Sequence, residues 1–156
     1  MSTKSIPDGY PVIAPYLVVK GGAAAIDFYK TVFGATERMR MADPASGALW
    51  HAELLFGTSL VMLGDECPEM KALGPLTIGG SPVGIHLYVE DVDATVARAI
   101  DAGAQIVHPV ENKFYGDRSG SLTDPFGHLW HIATHVEDVS PEETARRAAA
   151  MASGEK

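Results

Sequence analysis

The apolar positions of this chain change period several times, and the changes come twice in the same order. Ala14-Pro15-Tyr16-Leu17-Val18-Val19 is an extended apolar run, after which Ile26, Tyr29 and Phe33, spaced by three and four, predict a helix over 23–33. Three short strand candidates follow at 35–40, 49–56 and 59–63. Gly84-Ile85-His86-Leu87-Tyr88-Val89 starts the second round; Val92, Val96, Ala99 and Ile100 make the stripe of a helix over 91–102, capped by Asp91 or Asp93, and strands are predicted at 105–110, 120–123 and 129–133. Gly34 and Gly103 stop the two helices. Phe56-Gly57 and Phe126-Gly127, 70 residues apart, mark the same point in each copy.

This is a duplication, and repeats decide the fold because one copy rarely closes a core alone. The pattern predicts an α+β protein of two tandem βαβββ modules whose curved mixed sheets surround a pocket. The modules span 11–65 and 83–138. Residues 1–10 are polar and read as a loosely held arm, and 66–82, rich in Gly and Pro, as a linker that forms a lid or a dimer arm. Pro15 points to an edge or an irregularity in the first strand. In 139–156, Ser140-Pro141-Glu142-Glu143 begins a C-terminal helix outside the repeat.

Composition narrows the partners. The chain of 156 residues is 46% apolar, as expected of a globular fold, and has neither a run long enough to span a bilayer nor the apolar core of a secretory signal; a cytoplasmic protein is expected. One cysteine, Cys67, excludes an internal disulfide and reads as a loop residue. The net charge of −8, without a basic cluster, argues against nucleic acid and anionic membranes, leaving a small molecule or a protein.

Strand alternation then selects side chains. If Leu17, Val19, Ile85, Leu87 and Val89 pack on the helices, Tyr16, His86 and Tyr88 face the other way. The same test sets Trp50, Ala52 and Leu54 against His51 and Glu53, and places His131 with Leu129 and Ala133. The pocket is expected to present Tyr16, His51, Glu53, His86, Tyr88 and His131. Arg118, at a loop mouth, is a candidate to hold an anionic group by a forked pair of hydrogen bonds, or else pairs with Asp117 or Asp124. Trp50 and Trp130 read as core, Met39, Met41 and Met62 as gap-fillers, and His108 as a surface residue at a strand end. His128 is placed to donate to a backbone carbonyl, and His135 to pair with Glu137 or Asp138.

Several strings, in order, resemble the vicinal oxygen chelate superfamily of glyoxalase I, bleomycin-resistance proteins and extradiol dioxygenases. They are Ile26-Asp27-Phe28-Tyr29 leading to Phe33-Gly34-Ala35, Glu90-Asp91-Val92-Asp93-Ala94, and Thr123-Asp124-Pro125-Phe126-Gly127-His128. Tyr115-Gly116-Asp117-Arg118 and the stretch 130–135 are similar to the PhnB-like branch. The resemblance implies a homodimer and, in metal-dependent members, an ion held by first and last strands of each module. Carried over, those ligand positions fall at Ala14, Gly84, His131 and, by the 70-residue offset, Val61, so only His131 offers a ligand atom. Two readings follow. The first is a small-molecule-binding protein without the usual metal or any other cofactor. The second is a metal-dependent isomerase, lyase or epimerase in which His86 and His131, with His51 or Glu53, hold Zn²⁺, Ni²⁺ or Fe²⁺ and Glu53 acts as base.

Overall fold

A computed structural model describes residues 2–154. It contains two four-stranded mixed sheets with helices, an α+β arrangement with no closed barrel among the described residues. The first runs β1 (Tyr16–Val19), α1 (Gly22–Phe33), β2 (Thr36–Ala42), β3 (Leu49–Phe56) and β4 (Ser59–Asp65), with strand order β1-β4-β3-β2. After a 3-10 turn (Pro68–Met70) and the short α2 (Pro75–Ile78), the second runs β5 (Gly84–Tyr88), α3 (Val92–Asp101), β6 (Gln105–Asn112), β7 (Asp117–Thr123) and β8 (Leu129–His135), with order β5-β8-β7-β6. In each, the first strand pairs parallel with the last and the other pairs are antiparallel. α4 (Pro141–Ala152) is the last helix of the described residues. The 66–82 linker thus carries two short helical turns.

The chain divides into two compact units, and the division does not follow the repeat. One unit comprises residues up to Pro82 together with Pro125–His128; the other comprises Val83–Asp124 and Leu129 onward. The hairpin loop of the second repeat thus belongs to the first unit. Phe126 lies edge-on to Phe28 and Tyr29 within an aromatic cluster completed by Phe33 and Phe56, and His128 bonds the carbonyl of Val18 at 2.9 Å. Ile26, Tyr29 and Val32 of α1 are buried with Leu17, Val19, Ala52, Leu54 and Leu63. In the second unit Val92, Val96 and Ala99 are buried with Leu122, Trp130 and Ile132, and the Trp130 indole donates to Asp124 at 2.8 Å.

Local chemistry explains the helix ends. α1 has no cap of its own; the Asp65 carboxylate of β4 accepts the N–H groups of Gly21, Gly22 and Leu49 at 2.9, 2.7 and 2.7 Å, meeting the partial positive charge of the helix start. Gly22 is required there, since a Cβ would stand 2.6 Å from Leu49 Cδ2. Asp91, not Asp93, caps α3 by accepting from Ala94. Ser140 caps α4 as expected, and Arg147 ties that helix to Glu137 and to the carbonyl of Phe114.

Candidate functional site

Three of the expected site residues meet in the first unit. Glu53 is only 2% exposed, and each of its contacts is a donor. Tyr10 OH reaches its two oxygens at 3.0 and 3.1 Å, His51 Nε2 lies 3.1 Å from Oε1, and Arg38 Nε lies 3.6 Å from Oε2. A carboxylate only accepts, so His51 donates from Nε2, while its Nδ1 lies 3.0 Å from Tyr16 OH, which also reaches the Trp50 carbonyl at 3.4 Å. The result is a hydrogen-bonded series from the half-exposed Tyr16 through His51 to the buried Glu53. Burial raises the Tyr16 phenol above its ordinary pKa; for Tyr10 the bond to Glu53 does so first and burial second. Both phenols therefore stay protonated and donate.

Two expectations change here. The arm is anchored: Tyr10 binds Glu53, the Arg38 guanidinium lies 4.2 Å over the Tyr10 ring, and Arg38 also donates to the Gly9 carbonyl. Glu53 is not placed as a base working directly on a ligand, because it is buried with both oxygens engaged; it orients His51. Tyr10 and Arg38 escaped sequence reasoning. The first precedes any periodic segment, and the second is the extra residue of a bulge between Glu37 and Met39, which breaks the alternation on which a face assignment rests.

Beside Tyr16 a cavity of about 570 Å³ is lined by Val18, Leu49, Trp50, Cys67 and Met70 among others. Trp50, expected in the core, is 62% exposed. The register gives the reason: Met41 pairs with His51 and Ala42 with Leu49, so Trp50 is the unpaired residue of a second bulge and turns out of the packed face that Ala52 and Leu54 keep. The acidic members of the wall already have partners. Asp65 caps α1, and Glu66 accepts from Gly74 at 2.6 Å and is held below its usual pKa by Thr77, then by Gly74. What faces the cavity is largely apolar and aromatic.

In the second unit His86, His131 and Ser121 lie opposite one another on adjacent strands, and His108 of β6 continues the row across from Ser121. His108 is therefore not at a strand end. Ser121 Oγ is 2.7 Å from His131 Nδ1, and the His86 ring packs on Tyr88 at 4.7 Å. Tyr88 OH donates to Asp117 at 2.8 Å, which raises the phenol's pKa. Asp117, expected only as a possible partner of Arg118, is buried. Burial pushes its pKa up, but bonds from His135 and Tyr88 outweigh that and leave it below the usual range. His135 is raised by Asp117 and then Asp138, each at 2.8 Å. Arg118 forks onto Asp93 at 2.7 and 2.9 Å rather than onto Asp117 or Asp124, and its fork is occupied.

The family's metal positions can be tested on these strands. Tyr16 pairs with Met62 as His86 pairs with His131, so the counterpart of His131 is Met62, not Val61, which is buried on the helix side. The offset is not constant along the repeat: Tyr16 corresponds to His86, 70 residues on, Glu53 to Ser121, 68 on, and Met62 to His131, 69 on. At Gly84 the space for a ligand side chain is filled by the His131 imidazole: a Cβ there would lie 2.5 Å from Nε2. His51 and Glu53 have their nitrogens and oxygens engaged with each other, Tyr16 and Tyr10. Among the described residues no three His, Cys, Asp or Glu side chains are grouped to hold one ion. The residues present do not fit the family's metal.

The sequence profile of the Glyoxalase/Bleomycin resistance protein/Dioxygenase superfamily matches residues 11–132. An uncharacterised protein of Mycobacterium bovis is 45% identical over 136 residues, covering 85% of this chain and 89% of its own. Among solved structures, an Arabidopsis thaliana gene product is 30% identical with a TM-score of 0.63, covering 80% of this chain and 98% of its own. TioX from Micromonospora sp. ML1 is also 30% identical, with a TM-score of 0.62 and coverage of 81% and 100%. With its two βαβββ sheets, the chain belongs to the glyoxalase/bleomycin-resistance/dioxygenase superfamily.

Proposed function

We propose that this protein binds a small, largely apolar molecule with a flat aromatic portion, in the manner of a bleomycin-resistance-type binding protein and without the family's usual metal. The observation that carries this reading is the cavity of about 570 Å³ beside the outturned Trp50, a volume within the range of small-molecule sites. Trp50 supplies a stacking face, Met70 an adaptable apolar wall and Tyr16 a polar group oriented by His51. No helix among the described residues is long and apolar enough to cross a membrane. The reading includes a cytoplasmic location and the homodimer that family membership implies, which sedimentation tests separately.

The test uses Trp50 itself. In a Trp130→Phe background, planar aromatic probes are titrated into chelator-treated protein while Trp50 fluorescence is followed. A saturable change, together with calorimetric binding that is lost in Trp50→Ala protein that melts normally, supports the proposal. Silence across the panel, or a response that appears only on adding a divalent ion, overturns it. One observation favours enzymatic chemistry: the Tyr16, His51, Glu53 series resembles a nucleophile or acid with its oriented base. Turnover of a bound probe abolished by His51→Gln would establish that second reading.

A further inference from the structure

A second cavity, wholly within the second unit, is lined by His86, His108, His131, Lys113, Tyr115 and Ser121, with a volume of about 220 Å³. Three imidazoles reach it by register rather than by chance. His86, His131, Ser121 and His108 stand opposite one another across β5, β8, β7 and β6, so one transverse row carries them to the same face. β6 has irregularities on both sides of His108, and it leans close over β7 at Gly120. A Cβ on Gly120 would lie 2.9 Å from Val110 Cγ2 and 3.1 Å from the His108 carbonyl. The bulges and the missing side chain together deliver His108 to the cavity.

We propose that this cavity binds a compact oxyanion, a carboxylate or phosphate group. Its wall is rich in donors: three imidazoles, the Lys113 ammonium and the Tyr115 phenol, and no carboxylate lines it. The nearby acids are held elsewhere, Asp117 by Tyr88 and His135, and Glu111 by Lys113. That last pair is local and solvent-exposed on its Glu111 side, where water screens it, so Lys113 is readily shared with an anion. The volume lies below the usual range for drug-sized ligands. A shared metal ion would need nitrogens converging to about 2 Å, and the three imidazoles are not so grouped. Elsewhere a chain of net charge −8 repels small anions, which makes a carboxylate-free, donor-rich wall the favoured place for one.

The experiment follows the imidazole Cε1–H resonances of the full chain by NMR while inorganic phosphate, acetate or chloride is added at constant ionic strength. The proposal expects saturable shifts at His86, His108 and His131 with phosphate or acetate and none at His51 or His128; the stronger of the two names the oxyanion. Lys113→Ala or His108→Gln weakens that binding at least tenfold, roughly 1.4 kcal/mol. Gly120→Ala does the same with every imidazole still present. Equal responses to chloride, shifts spread over all histidines, or saturation by zinc ion but not by phosphate or acetate would overturn it. The outcome is independent of the Trp50 titration, so either proposal can fail alone.

Discussion

Corresponding rows of the two sheets, read from β2 to β1 and from β6 to β5, are Met39, Glu53, Met62, Tyr16 in the first unit and His108, Ser121, His131, His86 in the second. The scaffold is the same, down to a bulge just before the first member of each row. The chemistry is opposite. The first row buries one carboxylate and surrounds it with Tyr10, His51 and Arg38, a network satisfied from within. The second sets imidazoles along a cavity, with the His131 Nδ1 bonded to Ser121. Duplication fixed the geometry of both rows and left their side chains to diverge, so the superfamily supplies the fold while each row's function must be read from its residues.

The hairpins differ as well, and breaking one gives the largest expected effect. Phe126 sits in the second repeat's loop yet is buried in the first unit's aromatic cluster. Phe126→Ala should cost about 3–5 kcal/mol. Hydrogen exchange should show the loss of protection in α1 and β1 before β7 and β8; the reverse order would break the assignment of that loop to the first unit. Next, Glu53→Ala should cost about 1.5–3 kcal/mol by removing the buried acceptor shared by Tyr10, His51 and Arg38. The corresponding Ser121→Ala removes one neutral bond and should cost about 1 kcal/mol. Equal losses in denaturant melts would remove the contrast between a satisfied row and an open one.

Most of the fold was legible because the repeat shows twice: helix stripes, stop glycines and strand alternation each recur, and Ser140 and Asp91 cap where their positions indicate. The site was legible only where alternation held. Tyr16, His51, His86 and His131 obey it. Trp50, Arg38 and His108 stand at or beside bulges, and a bulge leaves no mark in a period-two pattern. The constant spacing points to Val61 in place of Met62 because the offset between the repeats falls from 70 at β1 and β5 to 69 at β4 and β8, a drift that the sequence pattern does not mark. Tyr10 was invisible for another reason: its role depends on a contact 43 residues away.

The ligand binding proposed for the Trp50 cavity requires no ion, and metal stoichiometry decides between it and the metal-dependent reading. Protein purified without a metal-binding tag, incubated with Zn²⁺, Ni²⁺ or Fe²⁺ and desalted, should retain far less than one ion per chain by elemental analysis. It should also bind its aromatic probe equally well before and after chelation. One ion per chain, lost on His86→Ala and on His131→Ala, would contradict the account and establish the metal-dependent reading in its place.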